Sequence, residues 1–374
     1  MQPSAPYTRG RTFGSEGYPD PSVRLPWLDL LKVISAFSVV ATHIASIGWQ
    51  AMDPMDDGWF ITSIYEIATR FAVPIFFMAS GALLLNPRRE LSIRRILTGY
   101  LPKTVAIALA ASFVYCAIEW ELSGWQGWRA VIVSALDGPY FIWYLWVLVG
   151  LYALTPLLRL ISRDSCALGY AVALLAFFVM GRCTADAMMP NSPLTVWLDN
   201  FILFSSGMEG VFYYLLGAWL ISHPLRRSYA LISIFIGALS LFLAVALNYW
   251  NACANGPDLY YVARDNLLIA LYSIGVWEAG LLLYSKRSEG FLLRSIVGWG
   301  MFIYLFHPIL RLIMERVSSF QPLVNWLLEA PLTAVPFISL LIWWLSVVSA
   351  FILGRIVALI QGALRARRRN LPNE

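Results

Sequence analysis

Long apolar stretches recur along the whole chain and are separated by short polar loops. A helix of about 20 residues crosses the hydrocarbon core of a bilayer, and each of these stretches is close to that length. The pattern predicts about ten membrane spans, at residues 26–49, 59–85, 97–118, 139–161, 166–182, 206–222, 229–249, 264–284, 296–316 and 332–360. We therefore expect an all-α, polytopic membrane protein.

The composition agrees with this pattern, because 59 % of the 374 residues are hydrophobic and only 13 % are charged, against about 25 % charged in soluble domains. The polar sequence before the first span predicts a disordered tail at residues 1–24. Residues 25–361 are then the membrane domain, and residues 362–374 form a basic tail.

The loops alternate in charge along the chain. Residues 86–95, 223–228 and 285–294 and the C-terminal tail are rich in Lys and Arg, whereas most acidic loop residues lie in the loops between them. Basic loops stay in the cytoplasm, so both tails are predicted to be cytoplasmic. The net charge of +5 needs no nucleic-acid partner, because basic loops beside anionic lipid headgroups explain it.

The first span carries three ionisable side chains, Asp29, Lys32 and His43. At about 100° per residue they share one helix face, with Lys32 and His43 about 16 Å apart along the axis. Ionisable groups inside a membrane are costly and usually functional, so this face is predicted to line a ligand groove. Alternatively, Asp29 and Lys32 form an ion pair at the water boundary and His43 bonds a neighbouring helix.

The second span contains Glu66 and Arg70 one turn apart, followed by Pro74, which frees a backbone carbonyl. A buried arginine needs a partner. Glu66 is the structural candidate, and an anionic substrate group is the functional one.

Other chemistries have little support in the sequence, which lacks a Walker loop, an HExxH motif and a CxxC pair. No metal site is predicted. Cys183 and Cys253 follow spans on the extracytoplasmic side, where a disulfide is possible, although the sequence does not fix their distance. His307 lies in the ninth span beside Pro308 as either a structural hydrogen-bonding residue or a second site residue.

Four motifs in this order resemble the membrane acyltransferase-3 family over nearly the whole chain. They are Leu28-Asp-Leu-Leu-Lys32 leading to His43, Arg70-Phe-Ala-Val-Pro-Ile-Phe-Phe-Met-Ala-Ser-Gly81, Trp143-Tyr-Leu-Trp146, and Tyr304-Leu-Phe-His307-Pro308. The resemblance implies a protein of the bacterial inner membrane. It also implies transfer of an acyl group, usually acetyl, from cytoplasmic acyl-coenzyme A to a hydroxyl of a surface or exported glycan or of a lipid-linked sugar, with membrane lipids and possible polysaccharide-synthesis proteins as neighbours.

Carried over to this chain, the family's helix-one histidine is His43, the expected catalytic base. Asp29 and Glu66 are predicted to orient it or to balance nearby cations. Lys32 stands where the family usually has arginine, and Thr98 replaces the second arginine of a family Arg-x-x-Arg pair.

Lys32, Arg70, Arg94 and Arg95 are the predicted donor-binding residues, because coenzyme A carries several phosphate charges. Acyl-coenzyme A is then a substrate, and no permanently bound cofactor is expected.

A transporter or flippase for a lipid-linked sugar is the alternative function, since its pathway would also contain buried ions. An inactive regulatory membrane subunit is a third reading.

Overall fold

The structure is a computed structural model that describes residues 17–189, 192–199, 207–258, 260–284 and 291–369. These residues form seventeen α-helices, numbered α1 to α17 in chain order: Pro26–Ala51, Asp57–Ala68, Ala72–Leu84, Ile93–Arg95, Leu101–Ser123, Trp128–Asp137, Trp143–Ile161, Ser165–Leu175, Gly181–Met188, Pro193–Asp199, Met208–Ser222, Arg227–Asn255, Leu267–Leu283, Phe291–Gly298, Gly300–Arg316, Gln321–Glu329 and Pro331–Arg369. The protein is an all-α, polytopic membrane protein, as predicted.

Seven of the ten predicted spans appear, within the described residues, as helical stretches long and apolar enough to cross a membrane. Two more, α11 and α13, are apolar but shorter. The predicted span 296–316 is divided at Trp299 into α14 and α15. The predicted span 59–85 is likewise divided, because α2 ends at Ala68 and α3 begins at Ala72.

Two π-helical turns, Ile96–Tyr100 and Ala176–Met180, join α4 to α5 and α8 to α9. These pairs therefore run on as single long elements. α6, α10 and α16 are short helices that the hydropathy pattern did not predict.

One end of the helix bundle, which we call the basic end, gathers the start of α1, the 86–95 loop, the end of α7 and the end of α11. The Tyr18 hydroxyl donates to the Ser162 carbonyl at 3.3 Å, and the Asn86 amide donates to the Pro19 carbonyl at 2.9 Å. Arg88 donates to the Tyr18 carbonyl at 3.2 Å. Residues 17–24 of the predicted tail take part in this end of the bundle, where Tyr18 is buried.

The boundary predicted at residue 361, between the membrane domain and the basic tail, falls within α17. α17 continues without interruption to Arg369, because the apolar helix simply acquires basic residues in its last turns. Residues 1–16 and 370–374 of the predicted tails lie outside the described residues.

Two glycines allow a close helix crossing in the core, between α3 and α11. A Cβ on Gly81 would lie 1.7 Å from the Tyr214 carbonyl oxygen, and one on Gly217 would lie 1.9 Å from the Met78 carbonyl oxygen. Only glycine permits this approach. On the outside of the bundle α12 exposes Phe235 and Phe242, at 70 % and 67 %, as expected for a face in contact with lipid.

Candidate active site

A cavity of about 250 Å³ lies between α1, the α2–α3 break, α7 and α15. From α1 it is lined by Lys32, Ala36, Val39 and His43. Their spacing of four, three and four residues keeps them on one helix face. The predicted groove along α1 is therefore present, and it connects Lys32 near the basic end with His43 about 16 Å further along the axis.

Asp29 pairs with two cations at the basic end. Arg24 Nε lies 2.5 Å from one carboxylate oxygen and Lys32 Nζ lies 3.3 Å from the other. Along α1, Asp29 is about 21 Å from His43, so it holds the lysine at the mouth of the cavity and does not contact the imidazole.

The break between α2 and α3 faces the same cavity through Thr69 and Arg70. Pro74 has no N–H to donate to the Arg70 carbonyl, which explains why the helix is interrupted here. The Thr69 and Thr42 hydroxyl oxygens lie 2.6 Å apart, and Tyr272 donates its hydroxyl proton to the Ala68 carbonyl at 2.8 Å. The break is thus held against α1 one residue before His43.

Glu66 forms an ion pair with the Arg70 guanidinium across this break. Glu66 is 3 % exposed, so the pair replaces hydration that the carboxylate has lost. Its second oxygen and Arg70 Nε have no hydrogen-bond partner among the described residues. The structural alternative for this pair is therefore realised, and one donor of the arginine remains without a partner in the described structure.

The His43 ring packs between two other rings. It stacks on His307 with ring centroids 5.2 Å apart and planes at 26°, and it meets Tyr140 edge-on at 5.5 Å. The structure thereby joins two histidines from distant parts of the chain.

His307 is fully buried on α15, and its Nδ1 lies 3.2 Å from the Ile303 carbonyl oxygen. A carbonyl only accepts hydrogen bonds, so Nδ1 carries the proton and donates it. Nε2 is then a lone-pair acceptor, and it has no partner among the described residues. The site therefore contains a second imidazole with an unused acceptor.

Arg311 supports Tyr140 one turn beyond His307. Its Nε donates to Glu315 at 2.8 Å, another guanidinium nitrogen donates to the Tyr140 hydroxyl at 3.2 Å, and its carbon lies 5.5 Å from the Tyr140 ring centre. Tyr304 lines the cavity and donates to the Phe141 carbonyl. Tyr304 belongs to one of the sequence motifs, whereas no sequence pattern indicates a role for Tyr140 or Arg311.

A further cation enters the cavity from the α12–α13 loop. The Arg264 guanidinium stacks 3.8 Å above the Trp143 ring, and the Tyr213 hydroxyl donates to the Arg264 carbonyl at 2.6 Å. Sequence reasoning missed Arg264. The feature that could have indicated it is the presence of an arginine in a loop that otherwise carries acidic residues.

Arg94 and Arg95, two predicted donor-binding residues, are exposed on α4 and do not line this cavity. A second cavity of about 320 Å³ lies beside them at the basic end and is lined by Arg89, Arg159 and Arg163. Arg159 donates to three main-chain carbonyls, those of Leu84, Asn86 and Arg89, at 2.6, 3.0 and 2.7 Å. It therefore organises the loop, and Arg89 and Arg163 supply the remaining positive charge.

The possible Cys183–Cys253 disulfide is not formed. Both residues are free thiols, with Cys183 buried and Cys253 exposed beside the Pro54 carbonyl. No cluster of three or more His, Cys, Asp or Glu side chains suited to a metal occurs in the described part of the chain.

The family model described as "Acyltransferase domain", that of the acyltransferase-3 family, matches residues 25–360. No curated protein and no solved structure matches the chain. The family match covers nearly the whole sequence and includes every residue that lines the cavity around His43. The chain therefore belongs to the acyltransferase-3 family of membrane acyltransferases.

Proposed function

We propose that this acyltransferase is an O-acyltransferase of the bacterial inner membrane. It would take an acyl group, by default acetyl, from acyl-coenzyme A at the basic end and transfer it to a hydroxyl of an exported glycan or lipid-linked sugar. In this proposal the basic end and both termini face the cytoplasm, as the positive-inside rule favours. The observation that carries the proposal is the continuous α1 face that joins Lys32 at the basic end to His43 deep in the bundle.

His43 would act as the general base. It would accept the proton of the acceptor hydroxyl while the oxygen attacks the thioester carbonyl carbon. The carbon–sulfur bond then breaks, and coenzyme A leaves as the thiol after taking up a proton. An imidazole suits this role because its ordinary pKa is close to neutrality.

The anionic donor would be held by basic residues along this route. Lys32 and Arg70 line the cavity, and Arg94 and Arg95 add to the positive field of the basic end. Asp29 and Glu66 would contribute by holding Lys32 and Arg70 in place, rather than by contact with the imidazole.

The proposal is tested with purified protein in detergent, acetyl-coenzyme A and extracted lipid-linked sugar. Release of the free thiol, measured with a thiol reagent, should depend on acceptor, and mass spectrometry should find the acceptor acetylated. The transporter alternative predicts no thiol release under any condition. Absence of thiol release with acetyl- and succinyl-coenzyme A would therefore overturn the proposal.

A further inference from the structure

The charged side chains that line the His43 cavity are all basic within the described residues: Lys32, Arg70 and Arg264. No carboxylate from the described chain lines it. Positive charges brought together in a low-dielectric site repel one another and need a counter-charge. Lys32 and Arg70 already have counter-charges in Asp29 and Glu66, so the unbalanced charge in the cavity is that of Arg264.

The Arg264 guanidinium is held by its face rather than by its edge. It stacks 3.8 Å from the Trp143 ring centre, and its Nε is buried without a hydrogen-bond partner among the described residues. Stacking on an aromatic ring leaves the N–H groups in the guanidinium plane free, and that planar edge matches a carboxylate. The tryptophan ring therefore fixes the position of the guanidinium, while its hydrogen-bonding potential is not fully used.

Neighbouring acidic groups do not satisfy it within the described chain. Glu209 and Asp265 interact with Arg264 only through longer-range electrostatics, and Glu209 accepts the Gly207 N–H at 2.6 Å. No ion pair joins either carboxylate to the Arg264 guanidinium.

Arg70, which lines the same cavity, also has a hydrogen-bond donor without a partner. One guanidinium nitrogen binds Glu66, whereas Nε is buried without a partner in the described structure. Both guanidinium groups line the same cavity, where like charges repel one another. An anion beside them would offset this repulsion and accept hydrogen bonds from them.

We propose that Arg264 and Arg70 form a carboxylate-binding subsite, and that one substrate of this enzyme carries a carboxylate. The source would be either the free end of a dicarboxylic acyl chain, such as succinyl, or an acidic sugar of the acceptor. The assignment of this ligand to donor or acceptor rests on the proposed acyl transfer. The proposed binding of a carboxylate at Arg264 and Arg70 does not depend on acyl transfer.

Binding is measured first, without turnover, as the thermal unfolding temperature of purified protein in detergent over a range of probe concentrations. The anionic probes are monomethyl succinate and methyl glucuronide, and the neutral partners are dimethyl succinate and methyl glucoside. One anionic probe should stabilise the protein while its neutral partner does not. The identity of that probe distinguishes the acyl source from the sugar source.

In Arg264→Gln, the probe concentration that gives half of the maximal stabilisation should rise about tenfold or more, because a charge-assisted hydrogen bond is lost. Arg129→Gln, a matched change at an exposed arginine outside the cavity, should leave it unchanged. If Arg264→Gln does not fold, Arg264→Lys carries the test. It keeps the charge but loses the planar edge, and binding should still weaken. Equal stabilisation by charged and neutral probes, or no effect of either variant, would overturn the subsite.

Turnover then separates the two proposals. In the acyl case the rate with succinyl-coenzyme A relative to acetyl-coenzyme A should fall at least about tenfold in Arg264→Gln. In the sugar case the ratio of acidic to neutral acceptor should fall instead. A protein that binds the anionic probe but releases no thiol would refute acyl transfer and leave the carboxylate subsite standing.

Discussion

His43 and His307 stack with ring centroids 5.2 Å apart, although the two residues belong to the first helix and to one of the last. Nδ1 of His307 is occupied by the Ile303 carbonyl, and Nε2 remains free. The pair places a second imidazole, with an unused nitrogen acceptor, against the histidine that lines the cavity.

His43→Ala should lower the rate of thiol release by about 10²–10⁴-fold, the range typical for loss of a general base. His223→Ala is the matched control, because His223 lies at the basic end, where it contacts Ser165 and Trp219. Its rate should stay near wild type. Both rates are measured on purified protein that shows the wild-type elution profile, and a His43→Ala enzyme of near-normal rate would remove the base assignment.

His307→Asn separates a chemical role from a structural one. The asparagine amide can still donate to the Ile303 carbonyl, but it lacks the Nε2 acceptor. We expect the unfolding temperature to stay close to wild type while kcat falls at saturating donor and acceptor. The reverse pattern, lost stability with kcat preserved, would indicate that His307 only supports the helix.

Lys32→Arg should be tolerated or improve activity, because a guanidinium adds a second hydrogen bond at similar reach. Lys32→Ala should reduce activity strongly. The double variant Lys32→Ala with Asp29→Ala should not recover it if Lys32 binds the donor, since the ligand contact is still missing. Recovery in the double variant would instead show that Lys32 serves only to neutralise Asp29. Arg24, the other partner of Asp29, has a side chain that is 43 % exposed, so water can solvate it when Asp29 is removed.

Neutralising Arg94 and Arg95 together should raise the apparent KM for acyl-coenzyme A and make it less salt-dependent. Both arginines are exposed, so the effect should be modest and strongest at low ionic strength. Arg226→Gln with Arg227→Gln removes the same charge from another exposed loop at the basic end and provides the control. Equal KM changes in the two double variants would show that only net charge matters.

Gly81→Ala should destabilise the fold by about 1–3 kcal/mol or more, the cost of overpacking, because the new Cβ would meet the Tyr214 carbonyl. Gly150→Ala is the matched change in α7, where nothing lies within 4 Å. It should be neutral or slightly stabilising. Thermal unfolding of both variants in the same detergent compares them, and equal midpoints would contradict the close crossing of α3 and α11.

The membrane architecture was predictable because a span needs only local hydrophobicity. Pro74 was a signal for the α2–α3 break, although 59–85 was predicted as one continuous span. The break at Trp299 has no such proline; it lies between Gly298 and Gly300, two poor helix formers, yet 296–316 was predicted as one span. The contacts of residues 17–24 could not be predicted, because Pro19 and Asn86 are brought together only by tertiary structure.

Some residues of the candidate site could likewise be predicted from the sequence, whereas others could not. The shared face of Lys32 and His43 follows from helix periodicity alone, so the sequence could place both on one groove. His307 and Tyr140 reach His43 only through tertiary packing. Arg264 comes from a loop, where no periodicity indicates direction.

The interruption at Thr69–Phe71 has an electrostatic consequence that belongs to the main chain. α3 starts inside the bundle at Ala72, which lines the cavity, so the positive end of its dipole, roughly half an elementary charge, is directed at the ligand space. Substitutions remove side-chain cations but leave this backbone field intact. A variant that lacks Lys32, Arg70 and Arg264 should therefore keep a residual preference for anions over cations, and replacement of Pro74 that restores a continuous helix should weaken it.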